Sequence, residues 1–283
     1  MHARCSSFSA HSRHQEALPM SKALTYASYL RLDELLSIQT PKSRGPHGPE
    51  HDELLFIVIH QVYELWFKEL LHELDYLQEL LRRNETALAA HTIHRVLTIL
   101  KTVVAQIDVL ETMTPLEFNS FRSFLESASG FQSAQFREIE FVLGYKRENI
   151  FKNYPQDLTG RDRLVERFTQ PTLWDAFLRY IQLNGYDVPA DQLNRDVTQP
   201  LQPSPELQAV LVEVYRKNPT VSDVCERLVD MDEGFQEWRY RHVKMVERTI
   251  GMKTGTGGSS GVQYLATTLK PFFPDLWAIR SLL

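Results

Sequence analysis

The chain has 283 residues, 43% hydrophobic and 24% charged, an ordinary globular composition that can bury a substantial core in one large domain or two small ones. A formal net charge of −5 offers none of the basic excess that marks nucleic-acid binding, and no apolar run approaches the roughly 18 residues of a membrane span. Two cysteines far apart, Cys5 and Cys225, argue against a disulfide scaffold and for a reducing, cytoplasmic setting.

Residues 1–20 are rich in Ser, His, Arg and Ala. They lack the continuous apolar stretch of a secretory signal and are expected to form a disordered tail, with Met20 as an alternative start. Residues 21–283 are expected to form a single all-helical domain. Its first element is a short amphipathic helix from Tyr26 to Ile38, followed by a loop from Pro41 to Pro49 with three prolines and two glycines. From Glu50 to Thr114 there is no Gly or Pro, which few structures except long helices tolerate. Leu54, Leu55, Ile57, Val58, Leu65, Leu70, Leu71, Leu74, Leu77 and Leu81 recur at helical spacing. The polar run Arg83–Thr86 predicts a break, with Asn84 or Thr86 as N-cap. A second helix is predicted from about Ala87 to Glu111. Two long helices joined by so short a turn must be antiparallel neighbours.

Thr114-Pro115 predicts a further helix start, since Pro suits the first turn, and Gly130 its end. Phe131 to Leu143 reads as another helical piece, and residues 161–184 as one or two helices divided near Pro171. Asn184 to Pro205 holds four prolines and reads as loop. A short helix from Pro205 to Asn218 precedes a third long one from Val221 to Ile250. That helix carries Val224, Leu228, Met231, Phe235, Trp238, His242 and Met245 on one stripe, with Gly251 placed to terminate it. A Gly- and Ser-rich loop, Thr254 to Gly261, leads into a helical tail. Neither strands nor an internal repeat are predicted. The architecture is a helical bundle with long antiparallel helices and loop-rich inserts.

Several residues on this frame can carry chemistry. His242 lies on the apolar face of its helix. It reads either as a core histidine satisfied by a carbonyl or as an axial iron ligand, for which an apolar wall and a neutral imidazole are the requirements. Phe56, His60, Tyr63 and Phe67 share one helix face. His60 is there either a core histidine or a pocket group that bonds a ligand N–H or bound oxygen. Arg122 sits beside a stripe of Phe118, Phe121 and Phe124. It either snorkels to solvent or points inward to an anion such as a carboxylate. The loop Gly255–Gly261 looks like a phosphate cradle but lacks the P-loop ending and follows a helix. It is either a linker or a backbone surface that approaches a ligand closely. A rival chemistry, a di-iron carboxylate site, has one Glu-x-x-His, Glu69 to His72, where such bundles need two. The His47, His51, Asp52 and Glu53 group has no zinc spacing and reads, like that motif, as solvated surface. A non-catalytic helical oligomerisation module is the third reading.

Taken in order, certain segments resemble the tryptophan 2,3-dioxygenase family. They are Leu24-Thr25-Tyr26 through Leu32, His51-Asp52-Glu53 through His60-Gln61, and Glu64-Leu65-Trp66. Leu110 through Pro115, Ser129-Gly130-Phe131-Gln132-Ser133, Arg241-His242, and Gly251 through Gly261 follow. The resemblance runs from about residue 22 to the C-terminus. It implies a haem b enzyme with a haem pocket between helices, using O2 to open the indole C2–C3 bond of L-tryptophan and give N-formyl-L-kynurenine. By the same resemblance His242 matches the proximal haem ligand, and His60 the distal histidine facing the indole N–H. Arg122 and Thr256 match the groups that hold the substrate's carboxylate and ammonium, and Phe56 a ring packed on the substrate. Ser129 and Gly257 match positions along the cofactor. Tyr26, Tyr29 and Leu30 match a segment that completes a neighbour's pocket in a homotetramer. Phe118 departs from the pattern, standing where some members place a Tyr near the carboxylate.

Overall fold

The structure, a computed structural model, describes residues 23–154, 159–253 and 262–283. The chain divides into two compact units, one ending at Thr40 and the other running from Pro41 to Leu283. In the first, the expected helix from Tyr26 to Ile38 is instead two short ones, α1 (Tyr26–Leu30) and α2 (Leu32–Leu35). Arg31 separates them in the left-handed region at φ 52°. Thr25 starts α1 with a capping box shared with Ser28.

The second unit contains the long helices. These are α3 (His51–Arg82) and α4 (Thr86–Leu110), followed by α5 (Pro115–Arg122), α6 (Ala134–Val142), α7 (Arg161–Thr169) and α8 (Leu173–Leu183). After the one-turn α9 (Ala190–Leu193) come α10 (Pro205–Lys217), the 32-residue α11 (Pro219–Ile250), α12 (Val262–Ala266) and α13 (Pro274–Ala278). Among the described residues there is no strand, only an isolated bridge between Gly45 and Gly48. No helix is long and apolar enough to cross a membrane.

The helix pattern follows from local chemistry. The α3–α4 turn is as short as expected, with Asn84 at φ 59°, a conformation Asn tolerates. Glu85, rather than Asn84 or Thr86, occupies the N-cap position. Thr114 caps α5 in a capping box with Glu117, and Pro115 follows at the first turn. That helix ends at Arg122 rather than at Gly130, which instead opens a 3₁₀ turn, Gly130–Gln132. The proline-rich stretch 184–205 yields one helical turn, α9, rather than loop throughout. Gly251, at φ 59°, ends α11.

α11 packs on α4, α4 on α3, and α3 on α6 and α8. Leu70, Leu74 and Leu77 of α3, Ile93 and Val96 of α4, and Val224, Leu228 and Met231 of α11 are fully buried in one core. These are the positions the helical periodicity selects, and their burial is the main stabilising term for helices of this length. One surface reading is corrected: Glu53 is buried. Its carboxylate accepts from Lys42 N–H (2.7 Å), Ser43 N–H (2.8 Å) and the Ser43 hydroxyl (2.5 Å). Burial opposes its ionisation, but these three donors outweigh that cost and hold its pKa below the usual glutamate value. The carboxylate thereby pins the 41–50 loop to the first turn of α3. His47 and His51 are exposed, as expected.

Candidate active site

A cavity of about 250 Å³ opens between α3, α4, α5, α6 and α11, closed on one side by Leu265 and Thr268. It receives the two histidine-bearing helix faces singled out in the sequence: Phe56, His60, Tyr63 and Phe67 of α3, and Trp238 and His242 of α11. Both faces are apolar because each helix turns its aromatic stripe toward the core, so the pocket reaches from the surface into the core.

His60 donates from Nδ1 to the Phe56 carbonyl at 2.7 Å. A carbonyl only accepts, so this bond fixes the proton on Nδ1 and leaves Nε2 as an acceptor. Burial lowers the pKa of His60 and keeps the ring neutral, against the opposing pull of the Phe56 carbonyl and Glu64. The Phe56 ring lies against His60, with centroids 4.1 Å apart. Phe118 of α5 continues that wall at 5.8 Å from Phe56, and Phe121 backs Phe56 from the core at 5.5 Å. On the same face of α5 as Phe118, one turn on, Arg122 also lines the cavity. Ser129 lines it too, and its hydroxyl accepts from Phe131 N–H at 3.3 Å.

His242 is held differently. Its ring stacks on Trp238, 5.4 Å between centroids and only 5° from parallel, and Trp238 is wedged among Tyr63, Phe67 and Phe136. Neither ring nitrogen makes a hydrogen bond among the described residues. Burial, with the nearby His60 and Arg137, pushes its pKa down to about 4. A satisfied core histidine would have a carbonyl partner. His242 has none, so its imidazole is neutral, oriented by stacking, and open to a ligand. Among the described residues no three His, Cys, Asp or Glu side chains are grouped to hold a metal ion, so a metal at His242 would bring donors of its own. His72 of the Glu-x-x-His motif is exposed on α3.

Thr256 and Gly257 lie outside the described residues. Tyr26, Tyr29 and Leu30 belong to the N-terminal unit, where their side chains are exposed. The structure adds wall residues that the sequence reading passed over: Arg137 and Glu140 of α6 and Arg239 of α11. Glu140 takes an ion pair from each of Arg137 (2.6 Å), Arg147 (2.6 Å) and Arg239 (2.9 Å). Its burial is thereby overcome, and its pKa stays below the usual glutamate value. Arg137 to Glu140 is a visible i, i+3 pair, but Arg239 lies 99 residues away in sequence and no local pattern links it.

Fold and site together define an all-helical protein with an aromatic-lined cavity that holds one acceptor histidine and one histidine without a hydrogen-bond partner among the described residues. The model of the family described as tryptophan 2,3-dioxygenase matches residues 11–182 and 191–283. The tryptophan 2,3-dioxygenase of Herpetosiphon aurantiacus is 70% identical over 262 residues, covering 93% of this chain and 99% of that protein. That of Anaeromyxobacter dehalogenans is 58% identical over 264 residues, covering 93% and 97%. The chain belongs to the tryptophan 2,3-dioxygenase family and is an oxidoreductase.

Proposed function

We propose that the chain catalyses insertion of both atoms of O2 across the indole C2–C3 bond of L-tryptophan, giving N-formyl-L-kynurenine, the first step of tryptophan degradation by the kynurenine route. The observation that carries this reading is the pair of neutral histidines lining one largely apolar cavity. His60 has its tautomer fixed by Phe56, and both nitrogens of His242 lack hydrogen-bond partners among the described residues.

The cavity wall suits a haem b. Its lining is largely apolar, His242 offers an uncommitted imidazole, and buried Arg137 and Arg239 supply positive charge. The indole N–H of Trp238 is buried beside the Tyr63 hydroxyl and makes no regular hydrogen bond among the described residues, a donor that a polar group on a bound ligand would satisfy. One haem per chain, held by His242 with Ser129 and Gly257 beside it, supplies the iron chemistry that activates O2.

The protein's own work is binding and orientation. Nε2 of His60 accepts the indole N–H, which turns the C2–C3 edge to a fixed direction. Phe56 and Phe118 exclude water and pack on the indole, with Phe121 buried behind Phe56. The guanidinium of Arg122 takes the carboxylate in its planar fork, and Thr256 bonds the charged end of the amino acid. Phe118 has no hydroxyl to add, so Arg122 and Thr256 hold the carboxylate without that donor. Tyr26, Tyr29 and Leu30 pack on a neighbouring subunit's pocket in a homotetramer. Their exposure, 75% for Tyr26 and 70% for Tyr29, supports this, since large rings left open to water mark an interaction surface. Residues 21–283 act as one catalytic domain in the cytoplasm, behind a tail that takes no part in catalysis.

The test is the visible spectrum of protein expressed with haem supplied. A Soret band that moves on adding L-tryptophan, and is lost in His242→Ala, is the expected result. A wild-type protein that takes up no haem overturns the proposal.

A further inference from the structure

A second cavity, of about 460 Å³, opens between α3, α6 and α7. It shares no residue with the first: Arg137 and Glu140 of α6 line one, and Glu138 lines the other. Its character is opposite as well. No aromatic ring lines it, and its walls carry the carboxylates of Asp75, Glu79, Glu138 and Glu166 against three guanidinium groups.

These carboxylates are not equally engaged. Asp75 is occupied by Arg167 in a bidentate pair at 2.6 and 2.8 Å. Glu138 is only 4% exposed, yet its Oε1 is buried with no hydrogen-bond partner among the described residues. Its one ion pair there is to Nε of Arg163 at 3.4 Å, without hydrogen-bond geometry and from a side chain that is 61% exposed. Burial raises the pKa of Glu138 against the pull of Arg163 and Arg167, so its surroundings do not replace the water this carboxylate gave up. At the rim, Glu166 accepts the neutral Gln170 amide at 3.1 Å and makes no ion pair among the described residues.

A buried carboxylate oxygen without a donor is costly. One free oxygen suits a compact ammonium, whereas a guanidinium fork is matched by two. Among the described residues no three His, Cys, Asp or Glu side chains are grouped to hold a metal ion, so a bare metal cation does not fit. We propose that this cavity binds a small aliphatic diamine, one ammonium donating to Oε1 of Glu138 on its floor and the other meeting Glu166 at its rim. Arg163, mostly exposed, gives way to solvent. The inference is independent of the haem reading, since α6 presents different side chains to the two cavities.

The experiment is isothermal titration of the full-length chain at fixed ionic strength with 1,4-diaminobutane and with 1,4-butanediol, a similar chain without charge. Wild type is expected to bind the diamine saturably, one per chain, and not the diol. Glu138→Gln, of nearly equal size, is expected to weaken diamine binding at least about tenfold, the scale of a charge-assisted hydrogen bond. Glu166→Gln should weaken it by a smaller factor, and Glu213→Gln, on α10 outside the cavity, should leave it unchanged. No saturable uptake of the diamine by wild type overturns the proposal and leaves water as the partner of Glu138. Equal affinity for the diol, or undiminished affinity in Glu138→Gln, also overturns it. An equal loss in Glu213→Gln does the same, because binding would then follow net charge alone. If Glu138→Gln does not fold, Glu166→Gln decides, with undiminished affinity overturning the proposal.

Discussion

His60 and His242 are both neutral, for different reasons that give them different work. His60 has a carbonyl partner at Nδ1, so its free nitrogen is an acceptor set in one direction. His242 has only a stacked Trp238 ring and keeps its nitrogens for a ligand. The burial that depresses the pKa of His242 to about 4 has a consequence for cofactor-free protein. Above pH 6.5 both folded and unfolded chains carry this histidine neutral, and nothing is lost. As pH falls from 6.5 toward 4 the unfolded chain binds the proton first, so folding stability drops by up to about 3 kcal/mol. Urea unfolding of the cofactor-free protein across that range should show the loss, and His242→Phe should show a shallower one. Equal slopes for the two proteins would remove His242 as its source.

At the scale of elements, the long helices are set by periodicity, but several of their ends are set by single polar side chains reaching across the fold. Lys146 donates from Nζ to the carbonyls of Arg167 (2.9 Å), Phe168 (2.7 Å) and Gln170 (2.9 Å). It thus closes the C-terminal end of α7 from outside that helix. Asp232 does the same work for the segment after α12. Its carboxylate accepts from Phe272 N–H and Phe273 N–H, from Trp277 Nε1–H at 2.9 Å, and from the Gln236 amide at 3.1 Å. Asp232→Ala leaves those donors buried without an acceptor. It is expected to cost about 3 kcal/mol or more, read as a lower urea midpoint, whereas a loss under 1 kcal/mol would show that water or a rearranged chain satisfies them. Because α11 carries both Asp232 and the cavity wall, this clasp also fixes the helix that presents His242.

For the whole molecule, the N-terminal unit is the part whose proposed function depends on assembly. α1 and α2 have no buried residue, and four residues of this unit, Leu24, Tyr26, Tyr29 and Leu36, are at least 70% exposed. Deleting residues 1–19 should leave tryptophan turnover close to wild type, whereas deleting residues 1–32 should reduce it severely with haem content retained. Equal turnover in the two truncations would detach Tyr26, Tyr29 and Leu30 from the pocket. Much of the rest was already legible in the chain itself. The Gly- and Pro-free run from Glu50 to Thr114 had to be helical, and the stripes through His60 and His242 had to face the core, because helical periodicity and burial are local properties. Which histidine is satisfied and which is open, that Glu53 is buried rather than solvated, and that Glu140 adds the distant Arg239 to two arginines near it in sequence were decided only by tertiary structure. Those facts depend on partners as far as 99 residues apart, brought together by packing that leaves no trace in local spacing.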